Sequence, residues 1–219
     1  MGRLSASIAH EIRNPLAAIA QANALLLEDP LLPPQQRLSR IVADNVERLK
    51  RLVDDVMEVA PGIDATPRAI DLGAEVDRIV AEWARTSQFA LGAGSRLQID
   101  LPHEPLAVLF DPEHLRRVLV NLLDNARRYA SDRSGAIVLR AQCDGGAQAR
   151  LSLASDGEPI PPDVEPFLFE PFFSTRSRGT GLGLYICREL CERYGGSIDY
   201  WQHPQGSGHC NEFVVTARV

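Results

Sequence analysis

Apolar side chains recur at steps of three and four along the opening of the chain, at Ile8, Ile12, Leu16, Ile19 and Leu26, with Asn23 as the polar member of the series. That period predicts a helix, and Asp29-Pro30 and Pro33-Pro34 break it. A second helix follows, in which Leu38, Val42, Asn45, Leu49, Leu52, Val56 and Val59 alternate steps of four and three, the seam spacing of a coiled coil or bundle. A short connector makes the two helices antiparallel neighbours. Two short helices bury too little surface to stand alone, so the stripe predicts a homodimer in which two copies form a four-helix bundle. Asn45 either fixes the register of that seam or occupies a tolerant position at its rim.

The pattern changes after Val59. Ala60-Pro61-Gly62 through Pro67 has linker composition, and beyond it helices and strands alternate without regular βαβ spacing. Glu75 to Trp83 reads as helix and Leu97 to Leu101 as strand. Asp111-Pro112 supplies an N-cap followed by proline in the first turn, opening a helix to about Tyr129. Strands are expected at Ile137 to Ala141 and Ala149 to Leu153, then a helix from Leu182 to Tyr194 ended by Gly195-Gly196, then strands at Ser197 to Tyr200 and Phe213 to Ala217. The fold class is α+β: a helical hairpin at 1–60, a linker at 61–70, and at 71–219 a two-layer α/β sandwich with a mixed sheet covered by helices on one face.

Composition narrows the function. Lys and Arg number 23 against 29 Asp and Glu, a formal charge of −6, so the broad positive field that drives nucleic-acid binding is missing. No apolar run is long enough for a membrane span, so no membrane contact is expected from this segment. Cys143, Cys187, Cys191 and Cys210 form no C-x-x-C pair. Cys187 and Cys191 share a helix face and read as core thiols, and a reduced, cytoplasmic setting fits them. The start carries no signal peptide and drops straight into a helical pattern, as in the inner part of a longer receptor.

Two places carry candidate chemistry. At about 100° per residue, His10 lies roughly 200° from both Ile8 and Ile12, pointing away from the apolar stripe, while Asn14 lies roughly 40° from it. Neutral imidazole is a nucleophile near neutral pH, and Glu11 beside it can accept its proton or fix its tautomer. Asn14, one turn on, can orient a water at the same spot, and Pro15 frees the Glu11 carbonyl beneath them. In the helix after Asp111, Asn121 and Asn125 are four apart on one flank of a stripe formed by Leu115, Val118, Leu119, Leu122 and Ala126. An amide oxygen there suits Mg²⁺, and Arg128 lies roughly 20° round from Asn121, in register with the same phosphates. Further on, Gly179-Thr180-Gly181-Leu182-Gly183-Leu184 opens a helix with small residues whose N–H groups can cradle anionic oxygens. It lacks the Gly-Lys-Ser/Thr of a Walker loop and the third glycine of a dinucleotide loop, which disfavours both of those classes.

The string Ser7-Ile8-Ala9-His10-Glu11-Ile12-Arg13-Asn14-Pro15-Leu16 resembles the H-box of two-component sensor histidine kinases. Asn121 to Tyr129 resembles their N-box, Phe169-Glu170-Pro171-Phe172-Phe173 their F-box, and Gly179 to Leu184 their G2 box, in family order. Within the family the chain looks most like the PilS and NtrB type. The resemblance implies a dimerisation and histidine-phosphotransfer domain followed by an ATP-binding domain of the gyrase and histidine-kinase (Bergerat) type. It implies ATP and Mg²⁺ as cofactors, His10 as phosphorylation site, Glu11 as catalytic acid-base residue and Asn14 as the phosphatase position. Asn125 would ligate Mg²⁺, Tyr129 would lie near adenine, and the segment from Pro161 to Thr180 would be an ATP lid with Arg176 and Arg178 available to phosphate. The phosphoryl group would pass to an aspartate of a response-regulator receiver domain.

One stretch departs from the family. Its G1 box reads Asp-x-Gly-x-Gly, with the Asp accepting a bond from the adenine amino group, whereas here the run is Ser155-Asp156-Gly157-Glu158-Pro159. Aligned on Gly157, Ser155 takes the Asp position. Either Ser155 accepts the adenine bond or the backbone shifts and Asp156 supplies it. A hydroxyl is the weaker acceptor by roughly 1 kcal/mol, so modest ATP affinity is expected. The departure also leaves room for an alternative, a catalytically weak dimeric scaffold or phosphatase that binds a receiver domain.

Overall fold

The computed structural model describes residues 2–59, 67–143, 148–175, 179–204 and 206–219, with the side chains of 2–8, 10, 58 and 59 outside that description. The expected outward orientation of His10, most of the expected hinge, and Arg176 and Arg178 therefore lie outside the described residues.

The chain forms two units: residues 1–64 together with 170–183, and residues 65–169 together with 184–219. In the first, α1 (Gly2–Leu26) runs unbroken through Pro15, and α2 (Pro33–Val59) packs back against it. Ala9, Leu16 and Val46 are buried within this hairpin. So are Asn23 and Ser39, which satisfy each other: the Asn23 amide donates to the Ser39 carbonyl (3.0 Å) and the Ser39 hydroxyl to Asn23 Oδ1 (2.8 Å). Asn23 thus keeps its place in the apolar series because its partner sits on the facing helix. Ile12, Ile19, Leu26, Leu38, Val42, Leu49 and Val56 remain exposed, so within one copy much of the stripe read from the sequence is left uncovered. Asn45 is exposed with them and donates back to the Ile41 carbonyl at 2.7 Å.

The second unit is built on a five-stranded sheet in the order β2-β4-β5-β7-β6, from β2 (Leu97–Asp100), β4 (Ile137–Cys143), β5 (Gln148–Ser155), β6 (Ser197–Gln202) and β7 (Asn211–Arg218). Among the described residues only β2 and β4 pair in parallel, so the sheet is mixed, as expected. Helices α3 (Leu72–Thr86), α4 (Pro112–Tyr129) and α5 (Gly183–Arg193) supply the buried faces Val76, Ile79 and Trp83; Leu115, Val118, Leu119 and Leu122; and Ile186, Cys187, Leu190 and Cys191. The two helical thiols are core, as their spacing suggests. Asp111 caps α4 by accepting from the N–H groups of Glu113 (2.9 Å) and His114 (3.2 Å). A second, two-stranded sheet pairs β1 (Arg68–Asp71) with β3 (Ala107–Phe110). Neither strand is evident from the sequence. β1 begins inside the stretch that reads as linker, and both are four residues long, too short to display alternation.

Candidate nucleotide site

In the second unit the candidate residues gather at the C-terminal ends of α4 and β5. Asn121 and Asn125 are half-buried on one flank of α4, as their spacing required. The Asn121 amide approaches the Cys187 thiol at 3.8 Å, while that thiol donates to the Val118 carbonyl at 3.7 Å, tying α4 to α5. Between the two asparagines, Asp124 Oδ1 accepts from the Trp83 indole N–H at 2.8 Å, fixing α4 against α3. Arg128 and Tyr129 are exposed at the helix end. There Arg96 donates to the carbonyls of Arg127 (3.1 Å) and Ala130 (2.8 Å), placing a cation on the unpaired carbonyls of the last turn.

The turn after β5 meets that helix end. A Cβ on Gly157 would stand 2.7 Å from the Tyr129 carbonyl oxygen, so glycine is required for the two backbones to approach. Ser155 and Asp156, the two candidates for reading a base, have different surroundings. Asp156 is locked: its carboxylate accepts from the Ser131 N–H (2.9 Å), the Ser131 hydroxyl (2.6 Å) and the Arg133 guanidinium (2.8 Å), and its side chain is 4% exposed. Burial alone would raise its pKa, but the Ser131 and Arg133 bonds outweigh burial and hold it below the ordinary carboxylate value. Ser155 is the last residue of β5, paired with Ile137 on one side and Asn211 on the other. It lies on the same face as Leu151 and Leu153, both buried, and among the described residues its hydroxyl has no hydrogen bond.

Asn211 is the residue that sequence reasoning missed. Buried at the start of β7, its amide donates to the carbonyls of Gly157 (2.9 Å) and Glu158 (3.2 Å), while Oδ1 accepts from the Tyr200 hydroxyl (2.7 Å) and the Ile160 N–H (3.3 Å). One side chain thus holds the backbone of the turn from Gly157 to Ile160. No local motif announces it, since the turn it holds lies more than fifty positions upstream in the sequence.

The glycine-rich run falls in the first unit and is described there. Gly181 has φ +72°, and an added Cβ would stand 2.5 to 2.8 Å from the Phe172 backbone, so this position too demands glycine. Phe172 itself holds a positive φ of 64° with its ring exposed. Arg48 of α2 donates to the Gly179 carbonyl (3.3 Å), and the Thr180 hydroxyl donates to Asp55 Oδ2 (3.2 Å). On α1, Glu11 and Asn14 are exposed, and Arg13 pairs with Asp54 of α2 at 2.7 Å. Of the remaining candidates, Leu182 is buried, and its N–H donates to the Thr180 hydroxyl at 3.3 Å just before Gly183 opens α5.

Residues 110–219 match the family described as histidine kinase-, DNA gyrase B- and HSP90-like ATPase, and residues 1–61 match the His Kinase A (phospho-acceptor) domain. The chain belongs to the sensor histidine kinases of that ATPase family. It is 38% identical to the sensor protein kinase PilS of Pseudomonas aeruginosa over 95% of this chain and 39% of that protein. It is 31% identical to the sensory histidine kinase/phosphatase NtrB of Salmonella typhimurium over 95% of this chain and 59% of that protein. The chain thus spans between about two-fifths and three-fifths of the curated relatives it matches, and both agree with the expected subgroup. Among solved structures, full-length ShkA in complex with AMPPNP matches 99% of this chain and 46% of its own at a TM-score of 0.71 and 25% identity. The sandwich is accordingly of the Bergerat type.

Proposed function

We propose that this chain is the core of an ATP-dependent protein-histidine kinase that phosphorylates His10 and hands the phosphoryl group to an aspartate of a response-regulator receiver domain. The observation that carries this is the pairing, in one chain, of a phospho-acceptor domain at 1–61 with an ATPase domain at 110–219. The imidazole of His10 attacks the γ-phosphorus, the P–N bond forms as the bond to the β-phosphate oxygen breaks, and ADP leaves. Glu11, exposed next to it, takes the imidazole proton. Nucleotide binding is assigned to the set Asn121, Asn125, Arg128, Tyr129, Ser155, Asp156 and Gly157 of the second unit and Gly179, Thr180, Gly181, Leu182 and Gly183 of the first. Within it Asp156 holds the turn and Ser155 faces the base. Catalysis of this kind is mostly positioning and charge neutralisation.

The Asn125 side chain suits Mg²⁺: it is half-buried, offers a hard amide oxygen and has no hydrogen bond among the described residues. When bound, the ion would neutralise charge between the phosphates.

The exposed stripe on α1 and α2 supports a homodimer. Among the described residues no helix is long and apolar enough to cross a membrane. We read the segment as the cytoplasmic portion of a longer sensor, without nucleic-acid or membrane contact of its own. With γ-labelled ATP and Mg²⁺, the parent protein is expected to acquire acid-labile label and His10→Gln none. Label retained in that variant would move the phosphorylation site elsewhere. A second reading, a weak kinase acting chiefly as scaffold or phosphatase through Asn14, draws support from the serine at position 155. Calorimetry detecting no ATP binding would favour it.

A further inference from the structure

We propose that Ser155 makes the base pocket a reader of purines in general: its hydroxyl accepts from the 6-amino group of ATP and donates equally well to the 6-oxo group of inosine or guanosine triphosphate. The inference rests on the reading above in which Ser155 faces the base.

Three observations lead to it. The first is placement. Ser155 closes β5 on the face it shares with Leu151 and Leu153, is 9% exposed, and has its hydroxyl without a partner among the described residues. The hydroxyl is not among the buried unpaired atoms of the described residues, so it is reachable, and a ligand atom can take up its free donor and acceptor capacity. The second is the commitment of the neighbouring carboxylate. Turning Asp156 toward a base would break its bonds to the Ser131 N–H, the Ser131 hydroxyl and Arg133, and no other carboxylate lies within Ser155-Asp156-Gly157. The third is the geometry of the turn. Gly157 abuts the Tyr129 carbonyl and Asn211 fixes the carbonyls of Gly157 and Glu158, so the backbone that carries Ser155 is not free to bring Asp156 round in its place.

The chemistry follows from the donor and acceptor inventory. A carboxylate only accepts, so it pairs with a 6-amino group and opposes a 6-oxo group, lone pair against lone pair. A hydroxyl carries one donor and two lone pairs and rotates to suit either. Base selection at position 6 is therefore lost at this residue, and Ser155 is a specificity-determining residue whose effect is to relax specificity.

The test is calorimetry on the full chain with Mg²⁺ and ATP, inosine triphosphate or GTP. Inosine triphosphate is the decisive probe, because it changes the 6-substituent without adding the 2-amino group of guanine. The parent protein is expected to bind it within about tenfold of ATP. Ser155→Asp is expected to tighten ATP and weaken inosine triphosphate, widening the ratio beyond about a hundredfold. Ser155→Ala is expected to weaken both by a similar factor, about three- to tenfold, leaving the ratio unchanged. If the buried carboxylate prevents Ser155→Asp from folding, the parent ratio and the alanine variant decide the matter.

A parent protein that prefers ATP by more than about a hundredfold overturns the inference while leaving the kinase reading intact. Ser155→Ala with both affinities unchanged overturns the base-facing placement. A parent protein that binds no purine triphosphate at all overturns the kinase reading, and the inference with it.

Discussion

Replacing Asn211 with alanine tests whether one side chain holds the turn after β5. The parent amide is 6% exposed and makes four contacts: to the carbonyls of Gly157 and Glu158, and from the Tyr200 hydroxyl and the Ile160 N–H. The two at 2.7 and 2.9 Å have the lengths of full hydrogen bonds, and the two at 3.2 and 3.3 Å are weaker. Counting about 1 kcal/mol net for each strong bond, and about 1–3 kcal/mol for burying a group that water cannot reach, gives a loss of about 3–5 kcal/mol. For a domain of this size each kcal/mol shifts the unfolding midpoint by about 2–4 °C, so a fall of about 6–20 °C is expected.

Both tryptophans of the chain, Trp83 and Trp201, lie in the ATP domain, so intrinsic fluorescence follows that domain alone as it unfolds. The same variant is expected to bind ATP about tenfold more weakly, equivalent to about 1.4 kcal/mol, because the turn beside Ser155 is no longer held. Asn211→Asp retains acceptors for Tyr200 and Ile160 but sets a carboxylate against two carbonyls, so it is expected to be no more stable than the alanine variant. An unchanged fluorescence midpoint in Asn211→Ala refutes the reasoning. A lowered midpoint with unchanged ATP affinity confines Asn211 to holding strands.

Two other outcomes are expected. The His114 imidazole is bonded to the Tyr194 hydroxyl at 2.6 Å, and burial lowers its pKa, with Arg193 adding to this and Asp111 and Glu113 opposing. The unfolded chain therefore takes up a proton near pH 6.5 that the folded domain refuses, so this stability is full above that pH and falls as the solution is acidified below it. The fluorescence midpoint should drop between pH 7 and 5 in the parent and drop less in His114→Gln. The Asp156 contribution has the depressed-acid sign and is lost only below its ordinary value of 3.8, outside that window. Gly181→Ala places a methyl against the Phe172 backbone at a positive φ, costing about 1–3 kcal/mol locally. Autophosphorylation should fall at least about tenfold, while the tryptophan-reported midpoint moves by less than about 2 °C.

How much could be read in advance depended on whether the signal was local. The α4 stripe and its cap are written within eighteen consecutive residues, and every apolar position named for it is buried. Asn121 and Asn125 were placed by the same periodicity. The hairpin stripe could be read for the same reason, although its period cannot say which apolar positions meet the facing helix and which wait for another chain. What stayed hidden was cross-element pairing: Asn211 with the Gly157 turn, Trp83 with Asp124, and Arg96 with the last carbonyls of α4. In each case a polar side chain meets a group at least thirty positions away, and nothing in a one-dimensional pattern specifies the partner. The choice between Ser155 and Asp156 was of this kind, because it turns on Ser131 and Arg133 occupying the carboxylate.

The two units are held by different means. In the ATP domain Val76, Ile79, Phe110, Leu115, Leu119, Ile137, Leu139 and Ile186 are almost wholly removed from water within a single chain, so its hydrophobic stabilisation is complete without a second copy. The hairpin keeps Ala9, Leu16 and Val46 inside but leaves Ile12, Ile19, Leu38, Val42, Leu49 and Val56 in water. Covering six half-exposed side chains is worth about 1 kcal/mol each, so two copies together gain about 12 kcal/mol, within the range of about 4–15 kcal/mol that association costs in lost freedom. The gain is adequate only if most of the stripe is covered at once, so a shift of register that left even one or two of these side chains uncovered would remove much of the margin. Asn45 lies on that stripe with its amide turned back to the Ile41 carbonyl, and it can enter a dimer seam without leaving its donor unpaired.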